Sequence, residues 1–165
     1  MGGWISNSYV RVPSELRAED LLQDLCAFLS PIAEFGRLTR VQYRSGDEWV
    51  RIYESGFGSL KEKDRIEALR SITQRFVDEV VMLHCYSVVS SGAYGHFLEG
   101  EFVRFIATCE DWRESHGVSE PWESELITEP AGFFDGTVHS IGRRLQLPDF
   151  GGELPHWDFD AAIAR

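Results

Sequence analysis

Several patterns that would identify a membrane, secreted or nucleic-acid-binding protein are absent from this sequence. No run of about 18 uncharged apolar residues occurs, so no transmembrane helix is predicted. Residues 1–10 contain neither a basic segment nor a long apolar one, so we expect no signal peptide and a cytoplasmic location. Lysine and arginine together number 16 against 27 acidic residues, a balance that argues against binding to a nucleic-acid backbone.

Short motifs typical of common enzymes are also absent. Cys26, Cys85 and Cys109 form no Cys-x-x-Cys pair, so we predict buried thiols rather than a disulfide framework. The Gly-Phe-Gly segment at 56–58 lacks the third glycine of a dinucleotide-binding loop, and neither a Gly-Lys-Ser/Thr loop nor a Gly-x-Ser-x-Gly motif occurs. We therefore expect no bound cofactor and no catalytic residues.

Histidines are the remaining candidates for metal ligands, and no two have the i, i+4 or His-x-His spacing typical of such sites. His84 and His96 fall in predicted strands and, with Tyr86, would line a small-molecule or metal site with catalytic potential. Cys85 adjoins His84, but neighbours along a strand point to opposite faces, so the two form no catalytic dyad. We assign no metal ligands, since a core or interface histidine is the simpler interpretation.

The net charge of -11 is unevenly distributed along the chain. Residues 91–165 hold 14 acidic and 5 basic residues, whereas residues 1–90 hold 13 and 11. One interpretation is that the negative charge simply keeps the protein dispersed in solution, which requires no clustering. The other is that the clustered acids form a face that steers the protein toward a basic partner. Trp112 and Trp122 lie within the acidic stretch and suit interface anchors, with packing on the sheet as the alternative. The predicted partner-binding residues are Glu99, Glu101, Glu110, Asp111, Trp112, Glu114, Glu120, Trp122, Glu123 and Glu125.

Periodicity divides the first half of the chain into alternating strands and helices. Residues 4–12 predict a strand, and Ser14 is placed to cap the amphipathic helix that follows. A hairpin is predicted from 38–44 and 49–54 around a Ser-Gly-Asp loop. The capping-box pattern at 59–62 begins a second helix that carries an apolar stripe.

The second half is predicted to be richer in strands, within a single domain covering 1–165. Residues 79–89 read as a central strand with both faces covered, and residues 149–165 are expected to pack on the domain surface. The other predicted elements are a hairpin of 93–98 and 101–109, an outer strand at 112–116 and a short helix at 138–145. We therefore predict an α+β fold, a mostly antiparallel sheet with two longer helices packed on one face and a short C-terminal helix.

The C-terminal half resembles small bacterial α+β proteins that are largely uncharacterised. The resemblance lies in an apolar strand, an aromatic-rich hairpin, a Trp-bearing strand and a Pro-Trp-Glu motif. In this sequence these features are Val80–Val89, Tyr94–Gly100 with Val103-Arg104, Trp112, and Pro121-Trp122-Glu123, followed by a similar closing helix with Leu147-Pro148. It implies an α+β fold without implying an activity. In size and acidity the chain is also similar to immunity proteins of bacterial toxin systems.

Together these features predict a binding protein without enzymatic activity. The most specific interpretation is an immunity protein that neutralises a basic toxin domain, such as one acting on nucleic acid, by occluding its active site. The alternatives are the small-molecule or metal site of the strand histidines and a role as a subunit of a larger assembly. The sequence defines neither the oligomeric state nor the identity of the partner.

Overall fold

The computed structural model describes residues 4–33, 39–54, 62–86, 91–109, 112–127, 135–150 and 156–163. Eight strands and four helices lie within these ranges. In chain order the elements are β1 (Trp4–Arg11), α1 (Ala18–Leu29), β2 (Thr39–Tyr43), β3 (Trp49–Glu54), α2 (Glu62–Arg75), β4 (Glu79–Tyr86), β5 (Ser91–Leu98), β6 (Glu101–Cys109), β7 (Trp112–Gly117), α3 (Glu123–Leu126), α4 (Asp135–Arg144) and β8 (Phe159–Ile163).

All eight strands belong to one antiparallel sheet with the order β7-β6-β5-β4-β1-β3-β2-β8. The strands β4 to β7 follow one another as a meander, whereas β1 lies between β4 and β3. The predicted α+β class, the antiparallel sheet and both hairpins are therefore confirmed. No helix in the described ranges is long and apolar enough to cross a membrane.

Two core clusters lie on opposite faces of the sheet, because neighbouring residues of a strand point to opposite sides. Val10 of β1 belongs to the first cluster and Tyr9 to the second. The same division occurs on β4, whose buried side chains alternate between the clusters as predicted for a central strand. Leu25 of α1 and Ile72 of α2 belong to the first cluster, and Ile141 of α4 belongs to the second.

The turn between β5 and β6 depends on one glycine. Glu99 and Gly100 both have positive φ angles, 48° and 86°, as a type I′ hairpin requires. A β-carbon at Gly100 would lie 2.5 Å from the side chain of Gln74, and the Gly100 N–H donates to Thr73 Oγ1 at 3.0 Å. This turn therefore attaches the β5–β6 hairpin to the end of α2.

Other local predictions need correction. Ser14 does not cap α1, because the Leu16 N–H bonds to the Pro13 carbonyl in a separate turn and Arg17 occupies the N-cap. The capping box at 59–62 lies outside the residues whose side chains are described. The C-terminal segment, for which the sequence predicts packing on the domain surface, also contributes β8, which extends the sheet by pairing with β2. Cys85 is buried as predicted, whereas Cys26 and Cys109 are half-buried.

Candidate functional site

The predicted partner-binding residues lie in different parts of the fold rather than on one surface. Glu99 and Glu101 are exposed at the β5–β6 turn. Trp112 and Glu114 lie on β7, where Trp112 is exposed, and Glu125 is exposed on α3. Two further members lie outside the described residues, Glu110 and Asp111.

Trp122 and Glu123 are buried and attach α3 to the sheet. Trp122 is 5% exposed, and its ring meets that of Tyr94 edge-to-face with centroids 5.0 Å apart. Glu123 accepts two hydrogen bonds from Arg104, Nε to Oε1 at 2.6 Å and Nη2 to Oε2 at 2.8 Å. Burial alone would raise the pKa of Glu123, but the hydrogen bonds and charge of Arg104, together with the bond from the Glu120 N–H, outweigh it and lower that pKa. The prediction that these two residues are surface contacts is therefore wrong.

Glu120, the last member of the predicted set, binds a histidine. His96 contacts Glu120 Oε1 through Nδ1 at 2.6 Å and Glu79 Oε1 through Nε2 at 3.0 Å. The Tyr94 hydroxyl also donates to Glu120 Oε1 at 3.0 Å. Burial alone would lower the pKa of His96, but the hydrogen bonds to the two carboxylates outweigh it, so the net pKa is raised. The arrangement favours an imidazolium that donates from both nitrogens.

Glu79 carries this network to the protein surface. Its second oxygen, Oε2, accepts from Arg11 Nη1 at 3.2 Å, and Arg11 Nη2 reaches Glu48 Oε2 at 3.0 Å. The hydrogen bond from His96 is the main cause that lowers the pKa of Glu79, and Arg11 adds to it. Alternating charges therefore run from Glu120 through His96, Glu79 and Arg11 to the exposed Glu48.

The charged chain ends in a groove of about 670 Å³ at one end of the sheet. Four carboxylates line this groove, and Arg11 is the one guanidinium among its lining residues. Two exposed leucines, 46% and 37% accessible, provide apolar surface between the charges. We call this feature the acidic groove, and its defining residues are Leu16, Asp47, Glu48, Asp78, Glu79 and Leu98.

This combination of groups suits a long basic side chain. Such a side chain can lay its hydrocarbon stem on Leu16 and Leu98 while its charged head reaches the carboxylates. Hydrogen bonds between a cationic donor and a carboxylate are about twice as strong as neutral ones. Because Arg11 and His96 already position Glu79, this carboxylate needs little rearrangement to accept a partner.

A second groove, of about 650 Å³, lies on the other side of the β2–β3 connection and offers no comparable preference. It is lined by Arg44 and Arg143 as well as by Asp47, Glu48 and Asp149. Arg44 donates to Asp47 from both Nε and Nη2 at 2.9–3.1 Å. With both signs of charge present, this groove selects neither a basic nor an acidic partner on charge alone.

The residues of the acidic groove were missed by sequence reasoning. They come from residues 1–98, where acidic and basic residues almost balance along the chain. Folding brings these acids together, because Asp47-Glu48 precede β3, Asp78-Glu79 lie at the start of β4, and both strands begin at the same end of the sheet. The available signal was a pair of adjacent acids at the start of each of two predicted strands.

The two histidines of the alternative hypothesis do not share a site. In the β4–β5 register His84 pairs with Ala93, whereas His96 pairs with Val81. Strand alternation places His84 on the face of the first core cluster and His96 on the face of the second. The sheet therefore separates them, and a common ligand site using both is excluded in this fold.

His84 lies instead beside a buried ion pair. Arg65 Nη2 contacts Glu54 Oε2 at 2.6 Å, and the Ser6 hydroxyl donates to the same oxygen at 3.4 Å. Burial, followed by the positive charge of Arg65, lowers the pKa of His84 to about 4. This histidine is therefore neutral near pH 7, whereas the pKa of His96 is shifted in the opposite direction.

No group of three or more His, Cys, Asp or Glu side chains in the described ranges is arranged to hold a metal ion. No family model, no curated protein and no solved structure matches this chain. The function must therefore be inferred from the acidic groove, its charges and its apolar floor.

Proposed function

We propose that this protein is a non-enzymatic binding protein that captures a basic protein partner in its acidic groove. The observation that carries the proposal is the juxtaposition of four carboxylates around exposed leucines, with Arg11 as the one guanidinium in the lining and with Arg44 and His96 contacting two of the carboxylates from outside it. A partner presenting an arginine or lysine would meet both the charge and the apolar surface of this groove. The exposed Glu99 follows Leu98, and its N–H donates to the Asp78 carbonyl at 2.9 Å, so a further acidic residue lies beside the groove.

The electrostatics support fast capture as well as binding. A net charge of -11 attracts a basic protein from a distance, and the groove supplies the local contacts. Arg11 and His96 hold Glu79 in place, so the site does not depend on flexible carboxylates alone. Attraction of this kind weakens with salt, because exposed charges more than about 10 Å apart are screened at 0.1 M ionic strength.

The first experiment measures the affinity for an arginine- and lysine-rich peptide by fluorescence anisotropy at low and moderate salt. The triple variant D47N/E48Q/D78N removes three groove carboxylates and leaves Glu79 in contact with His96. We expect it to weaken binding by at least about tenfold, as lost charge-assisted contacts imply.

The matched control is the triple variant D20N/D24N/E67Q. It removes three exposed carboxylates from α1 and α2, outside the residues that line the groove. We expect its affinity to stay within about threefold of the wild type, because it changes the net charge without changing the groove. Equal losses in both variants, or no binding by the wild type, would contradict the proposal.

The more specific proposal is that the captured partner is a toxin domain and that this protein is its immunity protein. Occlusion of a basic, nucleic-acid-binding active site by an acidic groove is the physical rationale. Co-expression with a basic toxin domain encoded in a neighbouring reading frame would test it. We expect wild-type protein to preserve cell growth and D47N/E48Q/D78N to do so poorly. Failure of the wild type would refute the immunity role and leave the measured peptide affinity unaffected.

A further inference from the structure

A separate surface, at the opposite edge of the sheet from β8, is formed by β7. This strand is outermost in the sheet, and no strand pairs with its outer side in the described ranges. Nearly all of its residues are exposed, including Trp112 at 52%. Val118, which follows β7 and bonds to the Val103 carbonyl at 3.1 Å, is 77% exposed. The strand contains neither lysine nor proline, two residues that commonly block pairing at a sheet edge.

One face of this strand has a self-complementary order of side chains. Residues two apart in a strand share a face, so Trp112, Glu114 and His116 lie on the same side. The His116 ring stacks on Phe105 with centroids 6.3 Å apart and an interplanar angle of 21°, which identifies this as the side of the first core cluster. The order along the face is apolar, acidic, imidazole.

We propose that two copies of this chain pair through their β7 strands, antiparallel, around a two-fold axis at Ser115. With Ser115 opposite itself, Glu114 meets His116 of the second copy, and His116 meets its Glu114. The acidic and the imidazole side chain of this face then each have a complementary neighbour. The pairing joins the two sheets into one continuous sheet and covers both exposed edges at once.

The cross-strand pairs explain why a second copy fits better than an unrelated strand. Glu114 and His116 already contact each other within one chain through Oε1 and Nε2, so their groups are compatible as hydrogen-bond partners. In the pair, two carboxylates and two imidazoles alternate around the axis. A carboxylate can accept a hydrogen bond from the imidazole directly across the sheet, whereas like charges there are unfavourable.

The self-association surface shares no residue with the acidic groove. Pairing through β7 therefore leaves both grooves of a dimer open, so the inference does not depend on capture of a basic partner. A monomer that still binds the basic peptide would refute the dimer alone.

Sedimentation velocity of the full chain at pH 7, from about 1 µM to 500 µM, tests the pairing, since weak edge contacts assemble at high concentration. We expect a concentration-dependent dimer. His116→Glu places a carboxylate opposite Glu114 and should weaken dimerisation by at least about tenfold. The swapped variant E114H/H116E restores each acid–imidazole pair and should return to within about threefold of the wild type.

The control is His139→Glu, the same substitution at an exposed α4 histidine that also contacts a phenylalanine ring. It should leave dimerisation unchanged. A protein that stays monomeric throughout the range, a dimer that H116E does not weaken, or a swap that does not restore it would each overturn the proposal.

A disulfide trap gives a second measurement that is independent of affinity. Opposed residues in an antiparallel pair have Cα atoms about 4.5–5.5 Å apart, within the range that a disulfide spans. Ser115→Cys should therefore form an intermolecular disulfide on mild oxidation, above the level of the wild type. Ser124→Cys, at an exposed position of α3, should not. Equal cross-linking of the two variants would contradict the two-fold axis at Ser115.

Discussion

His84 and His96 occupy neighbouring strands of one sheet, yet their surroundings favour opposite protonation states. His96 lies between two carboxylates, and its pKa is raised even though burial opposes that change. His84 lies beside Arg65 instead, and burial together with that charge lowers its pKa to about 4. The comparison shows that the charge of the neighbouring side chains, and not burial alone, decides the protonation state of a half-buried histidine in this protein.

The two histidine regions also differ in how far they are exposed to solvent. The His84 region is an enclosed polar cluster in which Arg65 and Glu54 are 10% and 7% exposed at their side chains. The His96 region is continuous with the surface, because Glu79 contacts Arg11 and Arg11 contacts the exposed Glu48. Breaking a buried ion pair costs much stability, whereas an exposed pair can exchange its contacts for those of a binding partner at little cost.

The largest effect is expected from Arg65→Met, which leaves the Glu54 carboxylate buried without its cation. Breaking a buried pair in this way costs about 3–5 kcal/mol, so the free energy of unfolding in urea should fall by that amount. Loss of the positive charge should also raise the pKa of His84, which an NMR titration of its imidazole would measure. Arg70→Met, at a partly exposed residue of the same helix, should cost less than about 1 kcal/mol. A comparable loss of stability in both variants would contradict the expected difference between buried and exposed ion pairs.

The next effect is a decline of stability in acid that depends on His84. Its folded pKa is about 4 against an ordinary value of 6.5, so the unfolded chain binds more protons between these values. Stability should therefore fall as pH drops from about 6.5 to 4, by up to about 3 kcal/mol from this group. His84→Gln should lose this component of the pH profile, and His156→Gln, at an exposed histidine, should retain it. Parallel profiles for wild type and H84Q would contradict the assignment.

His96 should give the opposite slope. Its folded pKa is raised, so its contribution is complete below the ordinary value of 6.5 and is lost as pH rises through the folded pKa. Glu120→Gln removes one of the two carboxylates and should cost about 1–3 kcal/mol near pH 6, as expected for a hydrogen bond to a charged group. Urea unfolding at pH 6 and pH 9 would show this cost shrinking at the higher pH. A cost independent of pH would mean that Glu120 stabilises the fold without His96.

The sequence predicts the local parts of this fold and misses the distant contacts. The β2–β3 and β5–β6 hairpins have turn residues between alternating strands, so short-range rules suffice. The Arg11–Glu79 contact joins residues 68 positions apart, and it exists because β1 pairs with β4. Trp122 and Glu123 resembled an exposed acidic motif because no sequence pattern showed Arg104 and Tyr94 as their neighbours.

The smallest effect on stability is expected at the surface end of the charged chain. Glu48 is 68% exposed at its side chain, so Glu48→Gln should change the free energy of unfolding by less than about 0.5 kcal/mol. The same substitution removes a carboxylate from the acidic groove and should lower the affinity for the basic peptide by about threefold to tenfold. Parallel urea unfolding and anisotropy measurements would separate the two effects. Unchanged affinity would mean that the basic partner binds elsewhere. A large loss of stability would mean that the Arg11–Glu48 contact stabilises the fold as strongly as the buried Arg65–Glu54 pair is expected to.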